Sequence, residues 1–117
     1  MTQAYRLTTT AAEAFKQGRM SQHRIPAPAD AQPPVAAGMQ IELIQPAPYG
    51  KTIALGRVLV LEVERQRLED ISDADIQACG YPNWTLFSAD WTQTYGGKGF
   101  SWDVDPDVWV INFEVCR

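Results

Sequence analysis

The sequence predicts an α+β fold in which a small β-barrel carries short helices at its ends. Short stretches of alternating apolar and polar residues recur along the chain, in the order helix, several strands, two short helices and a closing strand. The length of 117 residues matches one domain with one core. Hydrophobic residues make up 45% and charged residues 21%, which is ordinary globular composition. We therefore expect residues 1–117 to form a single domain whose short strands are antiparallel.

A first short helix is predicted from about residue 11 to residue 17. Thr10 and Glu13 have the spacing of a capping box, in which each side chain accepts a hydrogen bond from a free backbone amide. Gly18 can supply the left-handed residue that ends such a helix.

Extended segments follow this helix. Ile25 precedes Pro26, which favours an extended backbone and a short strand at residues 21–25. The proline-rich residues 26–37 predict an extended surface loop. From Gly38 onward, apolar residues alternate with polar ones and predict a half-buried strand, its apolar positions being Met39, Ile41 and Leu43.

Two further strands are predicted, a short one at residues 52–55 and a longer one at residues 57–67. The longer strand begins as a continuous apolar run and then alternates, so we expect its start to be covered on both faces. Its last two arginines are predicted to share a side with its later apolar residues, a set made up of Leu61, Val63, Arg65 and Arg67. Inward-pointing arginines at a strand end indicate either the mouth of a cleft or the solvated rim of a barrel.

The second half of the chain predicts two helices and a closing strand. Ser72 is the expected N-cap of the second helix, which ends at Gly80, and Asn83 is that of the third. Aromatic residues of the third helix share one face, which we interpret as core rather than as a stacking platform: Trp84, Phe87, Trp91 and Tyr95. Residues 108–115 then alternate as a strand with one apolar face.

The charge balance limits the kinds of partner. The net charge of −4 argues against wrapping long duplex nucleic acid, since that affinity comes mostly from neutralising phosphates. Residues 1–59 carry six basic and three acidic side chains (+3), whereas residues 60–117 carry four basic and eleven acidic ones (−7). We therefore expect any anion-binding surface to use the first half of the chain.

Several classes of protein are disfavoured by what the sequence lacks. Cys79 and Cys116 have no metal-binding spacing and are too few for a disulfide-stapled scaffold, so we expect reduced thiols and a cytoplasmic location. Residues 1–25 contain no apolar run long enough for a signal peptide, and the sequence has no apolar run long enough to cross a membrane. We expect no membrane partner, no metal and no cofactor.

Three stretches resemble the ASCH domain family, in the variety often encoded by bacteria and their prophages. Residues 18–24 resemble the family segment GRKTqTrR, and residues 65–72 resemble the end of a strand in the middle of that domain. The aromatic tail, from Phe87 to Phe113, resembles the closing motif of the family. The resemblance implies a PUA-like β-barrel with a cleft beside residues 18–24 that binds RNA or modified nucleosides.

One branch of that family removes the acyl group of N4-acetylcytidine with a lysine, a threonine and a glutamate. The matching positions of this chain are Met20, His23 and Cys79, so the resemblance does not carry the amidohydrolase activity to this protein. A thioether can neither activate a hydroxyl nor stabilise an oxyanion. A thiolate at Cys79 activated by His23 is the alternative nucleophile that these replacements leave open.

The leading hypothesis is a domain that binds single-stranded RNA or a nucleoside-like ligand in the cleft without the family's catalytic residues. The candidate binding residues, with Tyr81 and Trp84 as an aromatic wall, are Arg19, Ser21, His23, Arg24, Arg65, Tyr81 and Trp84. One alternative is a hydrolase that acts on a modified nucleoside or on RNA through other residues. Another is a protein-interaction module, including a homodimer, with an exposed apolar patch.

Overall fold

The computed structural model describes residues 3–116, which form one five-stranded sheet and three short α-helices. The strands are β1 (Gln3–Arg6), β2 (Gln22–Pro26), β3 (Gln40–Pro46), β4 (Thr52–Arg67) and β5 (Asp107–Val115), and the helices are α1 (Thr9–Lys16), α2 (Asp73–Ala78) and α3 (Trp84–Tyr95). The sheet order is β1-β3-β4-β5-β2, and the sheet curls into a half-barrel with β1 and β2 at its edges. The predicted α+β class is therefore confirmed.

Strand β1 was not predicted, and it also corrects the expectation of antiparallel pairing throughout. It runs parallel to β3, with Tyr5 opposite Leu43, whereas the other pairs are antiparallel. Three of its four residues are exposed. A short, mostly exposed edge strand has almost no hydrophobic pattern, so the sequence gives no periodic signal for it.

Strand β4 replaces the two strands predicted at residues 52–55 and 57–67. It runs continuously for 16 residues, and its pairing register shifts once against β3 and again between Val60 and Glu62 against β5. The second shift is a β-bulge, which inserts one extra residue and changes the side on which later residues lie. Leu61 is 49% exposed, whereas Val63 packs against the core. The prediction that these two residues lie on the same side of the strand is therefore wrong.

The helix ends follow local hydrogen bonds. Helix α1 begins two residues earlier than expected, because Thr8 and not Thr10 is the N-cap and its Oγ1 accepts from the Ala11 amide at 3.2 Å. The predicted Thr10 capping box is therefore wrong, since a run of three threonines offers three chemically similar caps. Ser72 and Asn83 cap α2 and α3 as predicted.

The core lies on both sides of β5. Val108, Val110 and Ile111 are fully buried, so this strand has two apolar faces instead of the predicted one. Phe87 and Trp91 of α3 are each 4% exposed and belong to the core, as the aromatic pattern predicted, but Trp84 of the same predicted face is 48% exposed, so its assignment to the core is wrong. Within residues 3–116, no helix has the length and apolar character that a membrane span requires.

Candidate functional site

The two edges of the half-barrel approach each other and create a seam between β1 and β2. The ring of Tyr5 on β1 meets the ring of His23 on β2 edge-on, with centroids 5.7 Å apart. Two adjoining hollows lie near this seam, beside the start of α1 and against α3. We call the smaller one the inner cavity; it measures about 60 Å³, and its lining includes Met20, His23, Arg24, Cys79, Tyr81 and Asp90.

The larger hollow, the outer groove, measures about 310 Å³. Its own lining residues are Thr9, Thr10, Pro46 and Gln93, and it shares Leu7, Thr8, Asp90 and Thr94 with the inner cavity. The hydroxyl and amide groups of this lining make the outer groove polar. Its volume is at the lower end of the range for small-ligand sites, whereas the inner cavity alone is well below it.

Arg24 is the central polar residue of the inner cavity. Its side chain is 1% exposed, and it forms an ion pair with Asp75 at 3.3 Å. Its Nε donates to Gln22 Oε1 at 2.9 Å, and its Nη2 donates to Gln66 Oε1 at 3.2 Å. Its Nη1 is buried and has no hydrogen-bond partner among residues 3–116. A buried donor without an acceptor costs about 1–3 kcal/mol, which a ligand oxygen or nitrogen can recover.

Gln22 and Asp75 hold the guanidinium in place. The Gln22 amide accepts from Arg24 and from the Cys79 thiol through Oε1, and it donates to Asp75 and Asn112 through Nε2. Burial raises the pKa of Asp75, but hydrogen bonds from Ser72 and Gln22 and the charge of Arg24 outweigh burial and lower the pKa below its usual value. Asp75 therefore stays ionised at neutral pH.

A chain of hydroxyl groups forms the opposite wall of the inner cavity. Tyr81 OH donates to Asp90 Oδ2 at 3.0 Å, so the 2.6 Å contact between Thr8 Oγ1 and Tyr81 OH is made with the Thr8 proton. Burial raises the pKa of Tyr81, which keeps the phenol protonated. Thr8 and Asp90 were not among the predicted site residues. Asp90 lines both hollows.

The predicted alternative nucleophile does not have the required protonation state. The Cys79 thiol donates to Gln22 at 3.4 Å, and burial raises its pKa to about 12, against the lowering effect of the Arg24 charge. Burial also lowers the pKa of His23 to about 4. Both groups are therefore neutral at pH 7, whereas an activated cysteine requires a thiolate beside an imidazolium.

The structure brings together some of the predicted site residues. His23, Arg24 and Tyr81 all line the inner cavity. So do Met20 and Cys79, which with His23 occupy the positions where the ASCH resemblance would place catalytic residues. The segment of residues 18–24 was thus a useful guide to the location of the cavity.

The other four predicted residues line neither hollow. Arg19 is exposed and donates to Gln17, and Ser21 is also exposed. Trp84 packs edge-on against Trp102 at the start of α3.

Arg65 is tied to the loop after β2. Its Nε donates to Asp107 at 2.9 Å, and its Nη2 donates to the carbonyl of Ala27 at 3.2 Å. Its guanidinium also lies 5.2 Å from the ring centroid of Trp109. Through these contacts Arg65 anchors the loop at the end of the sheet.

Comparison with known proteins supports the fold. No protein-family model matches the chain, and no curated protein matches its sequence. The chain is similar to the crystal structure of an ASCH domain from Lactobacillus crispatus (TM-score 0.70, 10% identity, 97% of this chain and 78% of that one). It is also similar to the structure of a DUF984 family protein from Enterococcus faecalis (TM-score 0.68, 13% identity, 98% of this chain and 80% of that one). At these identities the likeness concerns the fold, and it confirms the predicted ASCH-type fold.

Proposed function

We propose that the protein binds a nucleoside-like unit, free or within single-stranded RNA, with the edge of its base in the inner cavity. The observation that carries this proposal is Arg24, a buried residue that lines the inner cavity and whose Nη1 has no hydrogen-bond partner among residues 3–116. Every nucleobase offers a ring nitrogen or a carbonyl oxygen at its edge, and a guanidinium donates well to both. The ASCH-type fold agrees with this class of ligand.

The charges of the inner cavity favour a neutral polar ring over a phosphate. The charge of Arg24 is balanced by Asp75, and Asp90 adds a negative charge where the two hollows meet. An anion would therefore meet a carboxylate on entry. A base edge can instead accept from Arg24 and donate an amino group to Asp90.

The sizes of the two hollows indicate how such a ligand lies. The inner cavity holds about 60 Å³, which is too small for a whole nucleoside, while the adjoining outer groove holds about 310 Å³. We infer that the base edge enters the inner cavity and that the sugar lies in the outer groove. The polar lining of Thr9, Thr10 and Gln93 suits sugar hydroxyl groups.

The test is a titration of the protein with free nucleosides and with short single-stranded RNA at low salt. Arg24→Lys keeps the positive charge but removes Nη1, and we expect affinity to fall about tenfold or more. Arg65→Lys is the matched control, since this arginine lines neither hollow, and it should bind like the wild type. Thermal unfolding of both variants shows whether they are folded.

A second pair of variants tests the site without touching the buried arginine. Thr94 is exposed on α3 and lines both hollows, so Thr94→Trp should fill the space between them. Thr92 is exposed on the same helix and lines neither hollow, so Thr92→Trp is the matched control. We expect only Thr94→Trp to weaken binding. A wild-type protein without saturable binding, or variants at residues 24 and 94 that both bind normally, overturns the proposal.

The hydrolase alternative has less support. Its nucleophile would have to be a group other than the Cys79 thiol, because burial raises the pKa of that thiol and keeps it protonated. The interaction-module alternative, including a homodimer, stays a prediction that sedimentation of the purified protein tests.

A further inference from the structure

The most exposed aromatic residue of the described chain stands at the tip of the β3–β4 hairpin. Tyr49 is 98% exposed, and it makes no side-chain hydrogen bond or ring contact with any other residue in 3–116. Its backbone has φ of 63° and ψ of 32°, a conformation in which a bulky residue is uncommon and glycine or asparagine is favoured. Nothing in the folding of the chain accounts for a tyrosine here, and such outliers justify a hypothesis of function.

A short segment joins the outer groove to the hairpin tip. Pro46, the last residue of β3, lines the groove, and three residues later the chain reaches Tyr49. Three peptide units span at most about 11 Å between Cα atoms, so the tyrosine ring is within reach of a ligand that leaves the groove at this end. The tip is closed by a hydrogen bond from the Ala47 amide to the Lys51 carbonyl at 2.9 Å, which holds it as a defined turn.

Positive charge also lies on this side of the molecule. Lys51, two residues after Tyr49, is exposed and forms no ion pair within the described chain. Arg6, which lines the inner cavity beside the shared Leu7 and Thr8, is exposed and likewise unpaired in residues 3–116. An exposed aromatic ring with an unpaired lysine two residues away is a combination that suits single-stranded nucleic acid, through base stacking and phosphate contacts.

We propose that the ligand is a strand of RNA that continues from the outer groove to the hairpin tip. There Tyr49 stacks on a base that neighbours the one in the inner cavity, and Lys51 contacts a phosphate. This inference rests on the proposed function and narrows it, since a free nucleoside reaches only the inner cavity and the outer groove. The protein is then a reader of a short single-stranded segment and not a nucleoside carrier.

The experiment compares a free nucleoside with a tetranucleotide of RNA on wild-type, Tyr49→Ala and Tyr49→Phe proteins. We expect the tetranucleotide to bind more tightly than the nucleoside to the wild type. Tyr49→Ala should weaken the tetranucleotide by roughly 5- to 150-fold and leave the nucleoside unchanged. Tyr49→Phe keeps the ring and should bind both like the wild type. Because Tyr49 packs against nothing, these variants are expected to fold.

Salt dependence gives an independent measurement for Lys51. Lys51→Ala should reduce the slope of log affinity against log salt by about 1 for the tetranucleotide and leave the nucleoside unaffected. A tetranucleotide that binds no better than the nucleoside, or Tyr49→Ala with undiminished affinity for it, overturns the inference. Failure of the proposed function is different, because then Arg24→Lys leaves the affinity for both ligands unchanged.

Discussion

Arg24 and Arg65 lie on the two strands that flank β5, opposite adjacent residues of that strand, yet their surroundings differ. Arg24 faces Val110 across the sheet and is buried, whereas Arg65 faces Trp109 and has a side chain 34% exposed. Arg65 donates from Nε to Asp107 and from Nη2 to carbonyls of the loop after β2. Arg24 has three partners and one buried nitrogen left over. The contacts of Arg65 stabilise the fold, whereas Arg24 lines a cavity and has one buried donor without a partner, which suits it to ligand binding.

The largest expected effect is on stability and separates the two arginines. Arg24→Met removes the ion pair with Asp75 and one donor each from the amide oxygens of Gln22 and Gln66, so we expect the free energy of unfolding to fall by about 3 kcal/mol. Arg65→Met removes a half-exposed ion pair and a ring contact and should cost about 1 kcal/mol. Urea denaturation measures both. Equal losses would contradict the contrast drawn between the two residues.

The seam contains His23, and its contribution to stability should depend on acid pH, whereas that of the contacts around Arg65 should not. Burial lowers the pKa of His23 from 6.5 to about 4, so between these values the unfolded chain binds a proton that the folded protein does not. Stability therefore falls as the pH drops from 6.5 to 4, by up to about 3 kcal/mol at 1.4 kcal/mol per unit. In His23→Phe this part of the pH dependence should be absent, as stability curves at several pH values would show. A variant with the wild-type slope contradicts this assignment.

The smallest effect concerns the acidic partners of the two arginines. The pKa of Asp75 is lowered in the folded protein, so its contribution to stability is present above the unfolded value and is lost as the pH falls through the folded one. Asp75→Asn should cost about 1 kcal/mol at neutral pH and flatten the loss of stability below pH 4. Asp107→Asn, the matched change beside Arg65, should lose stability below pH 4 as the wild type does. If both variants lose stability below pH 4 as the wild type does, Asp75 is not the source of that loss.

The parts of the fold that were predicted depend on neighbours in the sequence. The caps at Ser72 and Asn83 and the core positions of Phe87 and Trp91 follow from spacings of a few residues. Strand β1 and the continuity of β4 depend instead on pairing with distant strands, and the bulge after Val60 exists only in relation to β5. Periodicity within one segment contains no information on such pairing.

The same distinction applies to the candidate site. Residues 18–24 indicated where the cavity lies, and His23 and Arg24 do line it. The wall opposite could not be predicted, since the contact between Thr8 and Tyr81 joins residues 73 positions apart. Arg19 and Arg24 are both arginines of the same short segment, and the sequence does not show that strand β2 buries one of them while the other stays in solvent.

The four contacts of Gln22 have a consequence for the thermodynamics of association. If the Gln22 amide were rotated by half a turn, its NH2 group would meet the donors of Arg24 and Cys79 and its oxygen would meet the acceptors of Asp75 and Asn112. The side chain therefore has a single orientation, and it fixes Arg24. The rotational freedom of the guanidinium is thus already lost on folding. A ligand that meets an immobile donor gives up little side-chain entropy, and even one short hydrogen bond can then contribute most of its enthalpy to affinity.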